Sequence, residues 1–315
     1  INTITNEVLY MNSQNIECIT LSKIGNIRGL LNVLDKYKEL SSNDTLYLNI
    51  DCNGMIFPEY LCILVSWIKF LEYKGIKVVK KILNENDYVS RINFYNEIGY
   101  DYIENFNRHN GSGKFIEITR IDNTNTNYIV NDIMNVIKCN IELHDTVFDC
   151  LNYCLFEVVD NINEHSESPI GGYIVVQNYP QKNILKIAIV DSGLGIYNTL
   201  KNSGKEEYKN INESDALKCS IKEKNSRFQK RGYGLYHTSN FMKHNKGIMS
   251  MHSGNSTLSI NNGKIKTYSS GFWQGLIVYF NINTNKSVDI NNIFDGKENI
   301  PISVNESDDI LNGYL

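Results

Sequence analysis

In the segment LFEVVDNINEHS, Glu157, Asn161 and His165 recur every fourth residue, so a helix would set them along one face. A carboxylate, an amide and an imidazole on one stripe could form a functional face, while Phe156, Val159 and Ile162 occupy other angles and can bury the helix. A solvated helix face would account for Glu and Asn equally well. In IVDSGLGI, Asp191 ends an apolar run and Gly193 and Gly195 follow it. A strand-end carboxylate beside residues without side chains can accept a hydrogen bond from a ligand lying against bare backbone. The plain alternative is a D-x-G turn. In RGYGLYHT, Gly232 and Gly234 precede a stretch with helical pattern, and Arg227, Lys230 and Arg231 stand just before them. Open amides at a helix start, with cations alongside, suit an anion. A glycine-rich loop before a helix is again the plain alternative.

These residues need elements to hold them. Helical spacing of Ile129, Ile133, Val136 and Ile137 predicts one helix, and a longer one is expected from about Leu143 to His165. Strands are expected at GYIVVQNY and LKIAIVD, and four more at GIMSMHS, TLSINN, KIKTYS and GLIVYFNI. Upstream, Thr45–Ile50 alternates as a strand, a turn follows at Asn53-Gly54, Pro58 opens a helix, Gly75 closes it, and IKVVKKI reads as the next strand. That is a βαβ unit with a parallel pair. Asn26 to Leu40 reads as a further amphipathic helix, Asn107–Phe115 as a surface loop, and Ile121–Tyr128 as a linker.

At 315 residues the chain is long enough for about two domains. Its net charge of −4 argues against general affinity for nucleic acid, so phosphate binding would have to be local. Seven cysteines in apolar segments, without paired zinc spacing, read as reduced and mostly buried thiols. The longest apolar run, YLCILVSWIKFL, is too short to cross a bilayer and contains Lys69. A soluble, cytoplasmic protein is expected.

Taken in order, Glu-x3-Asn on a helix, D-x-G-x-G after a strand and G-x-G-L before a helix resemble the ATP-binding boxes of the GHKL superfamily. That superfamily comprises gyrase, Hsp90, histidine kinases and MutL. The resemblance covers about Asn131 to Asn283, and the polar insertion from Tyr197 to Lys230 stands where that family has a mobile ATP lid. It implies ATP and Mg²⁺ as cofactors. Glu157 would be the catalytic base and Asn161 the metal ligand. The nucleotide set would be Asp191, Gly193, Gly195, Ile196, Arg227, Lys230, Arg231, Gly232, Tyr233, Gly234 and Leu235, with His165 matching a histidine of the anti-sigma-factor kinases. In one departure, the last strand begins Gly275-Leu276 where the family has Gly-Thr, so a hydroxyl near the base is missing.

The stretch from Thr45 to Ile82 resembles a STAS domain, the anti-sigma-factor-antagonist fold. It lacks that fold's phosphoacceptor: the helix start reads Phe57, Pro58, Glu59, Tyr60. Glu59 fits either an imitation of a phosphorylated state or a simple helix N-terminal carboxylate.

The expected class is α/β in the α+β sense. A STAS-like regulatory domain would occupy 1–122, a GHKL sandwich with mixed sheet 123–285, and a polar peripheral tail 286–315. The leading functional expectation is an ATP-binding regulatory protein that slowly hydrolyses nucleotide to switch contact with another protein. A serine/threonine kinase of the anti-sigma type and a nucleotide-gated binding module without turnover are the alternatives. A homodimer is compatible with the sequence, while a membrane is not expected and nucleic acid is not indicated. The first domain is expected to be a removable regulator, its deletion leaving ATP binding intact.

Overall fold

The computed structural model describes residues 17–111, 113–122, 124–140, 145–222, 234–289 and 293. Several side chains near the two ends of the helix 145–165 also lie outside the described set.

The chain begins with β1 (Glu17–Thr20), α1 (Ile27–Leu34), β2 (Thr45–Asp51), α2 (Pro58–Tyr73) and β3 (Lys77–Leu83). Asn26 caps α1 by accepting from the Gly29 amide, as a short amide before an apolar stripe should. The three strands form a parallel sheet in the order β1-β2-β3, with Leu46, Leu48 and Ile50 of β2 turned inward. Pro58 stands in the first turn of α2, and Gly75 takes φ +81° just beyond its end, where a side chain would be strained. Two short helices, α3 (Asp87–Arg91) and α4 (Phe94–Glu97), complete this unit.

A five-stranded antiparallel sheet follows, in the order β4-β5-β6-β8-β7. Its strands are β4 (Phe115–Ile121), β5 (Gly172–Tyr179), β6 (Ile184–Asp191), β7 (Ile248–Asn261) and β8 (Lys264–Asn283). Helices α5 (Thr126–Asn140) and α6 (Asp145–His165) join β4 to β5. Between β6 and β7 lie α7 (Gly195–Lys201), α8 (Glu213–Ser220) and α9 (Gly234–Asn245). The fold is therefore mixed α/β of the α+β kind, with one parallel and one antiparallel sheet.

Several expectations are corrected. Four short strands near the C-terminus are two long ones, β7 and β8, bent by register shifts between His252 and Ser256. The linker expected at Ile121–Tyr128 is a tight strand-to-helix connection. The Asp122 amide bonds to Asn125 Oδ1 at 3.0 Å, and α5 has begun by Thr126. The boundary drawn at 122 falls just after β4, which pairs with β5, so the larger sheet already starts at Phe115. In the tail from 286, Val288 and Ile293 are buried against the α6 side of the sheet.

Both faces of the large sheet are covered. Ile174, Val176, Ile187, Ile189, Val278 and Phe280 pack toward α5, α6 and α9. The alternate residues Tyr173, Val175, Ala188, Val190 and Ile277 join the core of the N-terminal unit. The period of two in β5, β6 and β8 thus serves two different cores. Helix α2 fills the space between the sheets, and its residues from Pro58 to Ile68 are all buried. A helix apolar around most of its circumference belongs in such a position.

One ion pair crosses this junction. Glu59, 4% exposed, meets Lys186 of β6 at 2.7 Å. The ammonium also lies over the Phe57 ring at 4.2 Å and near the rings of Tyr179 and Tyr279. Glu59 is thus a carboxylate in the first turn of α2, as expected, but buried in an ion pair rather than exposed as a phosphate mimic. The two units share one continuous apolar core, and the expectation of a removable N-terminal domain conflicts with that packing.

Candidate functional site

Helix α6 organises the candidate residues. Glu157 and Asn161 lie on it four residues apart and are each partly exposed; His165 closes the helix, its side chain outside the described residues. The adjoining stripe, Leu151, Cys154, Leu155, Val158, Val159 and Ile162, is buried in the core with β5 and β6 and holds the helix in place.

The aspartate turn docks on the C-terminal end of α6. Ser166 O accepts from the Leu194 amide at 2.7 Å, and a Cβ on Gly193 would sit 1.9 Å from that same carbonyl. Gly193 is therefore required for close approach of turn and helix. Gly195 has φ +71°, and a Cβ there would meet Ser253 Oγ at 2.5 Å. The Ser253 hydroxyl instead accepts from the Ile196 amide at 3.0 Å.

Asp191 continues the parity of Leu185, Ile187 and Ile189, which face α6. It is 4% exposed. Its Oδ1 accepts from the Gly193 amide at 2.9 Å, and the Leu276 amide is a second donor. Burial dominates these two bonds and pushes the carboxyl up to about 7. No cation pairs with it among the described residues. A buried carboxylate with two backbone donors retains acceptor capacity for a ligand's donor.

Gly275 lies across from this group, where a Cβ would be 2.4 Å from Asp191 Oδ1 and 2.5 Å from the Gly193 amide nitrogen. The absence of a side chain is needed there, and Leu276 supplies its amide rather than a hydroxyl. Ile196, Leu235 and Leu276 are half-buried beside the same core, an apolar lining near the turn and the start of α9.

The third motif meets α6 from another side. A Cβ on Gly234, the first residue of α9, would lie 2.3 Å from Glu157 Cβ. The start of α9 and the Glu157 carboxylate are thus neighbours. Along α6, Glu157 and the turn contact at Ser166 are nine residues apart, about 13.5 Å at 1.5 Å per residue. Arg227, Lys230, Arg231, Gly232 and Tyr233 lie outside the described residues.

The first part of the polar insertion is folded onto the sheet. Ala216 and Leu217 of α8 are buried, and Glu213 accepts from the Asn255 amide at 2.8 Å.

Three site-supporting residues carry no local sequence signal. Trp273 Nε1 donates to Asp191 O at 2.8 Å, Gln274 Nε2 donates to Gly193 O at 3.3 Å, and Ser66 Oγ lies 3.0 Å from Ser192 Oγ. Each bridges at least 81 residues of sequence, which no periodicity can reveal.

No protein-family model matches the chain, and no curated protein and no solved structure matches it. Fold and site define an α+β protein in which one helix brings a buried strand-end carboxylate, a partly exposed Glu/Asn pair and a glycine-led helix start onto one side of an antiparallel sheet. No described helix is long and apolar enough to cross a membrane.

Proposed function

We propose that this chain is an ATP-binding regulatory protein of the GHKL type, which holds Mg-ATP on the α6 side of the large sheet and hydrolyses it slowly. The observation that carries the reading is Asp191. It is a buried carboxylate fixed by two backbone amides in a cradle where Gly193, Gly195 and Gly275 leave no room for side chains. An exocyclic amine is the donor such an acceptor suits, and the apolar Ile196 and Leu276 suit a flat base.

The axial separation of the two contact points on α6, Glu157 and Ser166, about 13.5 Å, supports the same reading, because a nucleoside triphosphate is an elongated ligand. In this proposal the Gly234 end of α9 receives phosphate, as the positive end of a helix can. Glu157, beside it, takes a proton from the attacking water, and Asn161 contributes an oxygen to Mg²⁺. Bound Mg²⁺ would neutralise developing charge on the phosphates. A hard cation held by phosphate oxygens and water needs few protein ligands, so a single amide oxygen is a workable contribution.

Phosphotransfer to Ser66 is disfavoured by burial. Ser66 is 0% exposed and faces Ser192, so no nucleotide phosphate can reach it in this arrangement. Calorimetry with ATP and Mg²⁺ tests the proposal, followed by labelled ATP with the label traced to free phosphate, protein or neither. Absence of a binding signal from the folded protein would remove it.

A further inference from the structure

We infer that Ser66, on a helix of the N-terminal unit, is a positioning residue for the base end of the nucleotide site and acts through Ser192. The inference rests on the ATP reading above and extends it, because it makes a helix remote in sequence part of the site.

The two hydroxyls are 3.0 Å apart and both residues are essentially excluded from solvent, Ser66 at 0% and Ser192 at 2%. Each is the other's side-chain partner across the junction of the two units. Ser192 lies between Asp191, whose carboxyl faces α6, and Gly193, whose amide holds that carboxyl. A bond at Ser192 therefore fixes the turn from the sheet's other side. Trp273 reinforces it by donating to Asp191 O, and Gln274 by donating to Gly193 O.

The same junction carries a small, partly open pocket of about 60 Å³, lined in part by Tyr37, Trp67, Ser192, Trp273 and Gln274. A turn with unfilled space on one side has room to shift when its hydroxyl bond is lost. Trp67 follows Ser66 directly, and Trp67 and Trp273 are the chain's two tryptophans. Tryptophan emission, excited at the red edge where the chain's tyrosines do not absorb, therefore reports on this junction.

A double-mutant cycle with Ser66→Ala and Ser192→Ala tests the inference in the full chain. Ser66→Ala strands the Ser192 hydroxyl in a buried place, and the turn can relieve that only by moving. Affinity for Mg-ATP should fall roughly tenfold in either single variant, and the double variant should lose no more than one single does. Affinity for Mg-tripolyphosphate, which lacks the base, should be unchanged throughout. Tryptophan emission on ATP addition should differ between wild type and Ser66→Ala. Losses that add in the double variant, or that fall equally on ATP and tripolyphosphate, would reduce Ser66 to a packing residue. Wild-type affinity for ATP in Ser66→Ala would overturn the inference while leaving the ATP reading intact. A wild-type protein that binds no ATP would instead overturn the reading beneath it.

Discussion

Gly234 and Glu157 touch so closely that a β-carbon on the glycine would come within 2.3 Å of the Glu157 β-carbon. Two opposing effects bear on Gly234→Ala. Alanine favours a helix interior over glycine by about 1 kcal/mol, an advantage diminished at a helix start. The clash is with a β-carbon close to the α6 backbone, not with the far end of a flexible side chain, so it cannot be relieved by rotation. Overpacking of that kind costs about 1–3 kcal/mol and should win. Urea denaturation should show a net loss of stability, and ATP turnover should fall with it.

Asp191 sets a pH dependence whose sign follows from burial. Its folded-state carboxyl is raised from 3.8 to about 7, so between those values the folded chain holds a proton that the unfolded chain has released. The resulting stabilisation is full below pH 3.8 and is lost as pH rises toward 7. Denaturation of Asp191→Asn should lack this component, which the difference from wild type between pH 4 and 8 would reveal. ATP binding should show the opposite trend and weaken as pH falls below about 7, because the amine needs the ionised acceptor. At pH 8, Asp191→Asn should lose about 1–3 kcal/mol of ATP affinity by calorimetry.

Glu157→Ala and Asn161→Ala separate binding from chemistry. The first should keep ATP affinity and lose turnover by about 10²-fold or more, the loss expected for a general base. The second should lose Mg²⁺-dependent affinity and turnover together. Phosphate release at saturating ATP decides both, and wild-type turnover in Glu157→Ala would place the base elsewhere.

The Glu59–Lys186 pair should be costly to break and cheap to replace. Removing one partner, as in Glu59→Gln, leaves a half-buried ammonium without its counter-charge, at a cost of about 3–5 kcal/mol. Glu59→Gln with Lys186→Met should recover most of that loss, since the surroundings include the rings of Phe57, Tyr179 and Tyr279. Chemical denaturation of the three variants measures the difference.

Removing the residues before 123 should abolish folding rather than adjust turnover. The cut takes away β4 together with α2, baring Tyr173, Val175, Ala188, Val190 and Ile277 on the back of the sheet. The fragment should aggregate or bind a hydrophobic dye strongly. A soluble fragment with wild-type ATP affinity would show that the shared core is dispensable.

Local chemistry and periodicity determined much of this protein. Strands β5 and β6, the span of α6, the βαβ unit around Pro58 and Gly75, and the stripe of Glu157 and Asn161 all follow from residues within a few positions of one another. Glycine at 193 and 195 beside Asp191 likewise marked a carboxylate held against bare backbone.

Tertiary structure alone decided what lies behind that carboxylate. YLCILVSWIKFL is apolar around most of its circumference, the mark of a helix buried on nearly all sides, but the pattern cannot name the second surface that covers it. That surface is the far face of the antiparallel sheet. Its occupant turned the N-terminal segment from a separable regulator into part of the core, placing Glu59 against Lys186 and Ser66 against Ser192. Such pairings join residues more than a hundred positions apart, and they follow from which apolar faces meet, a choice made by the free energy of the whole chain rather than by any one segment.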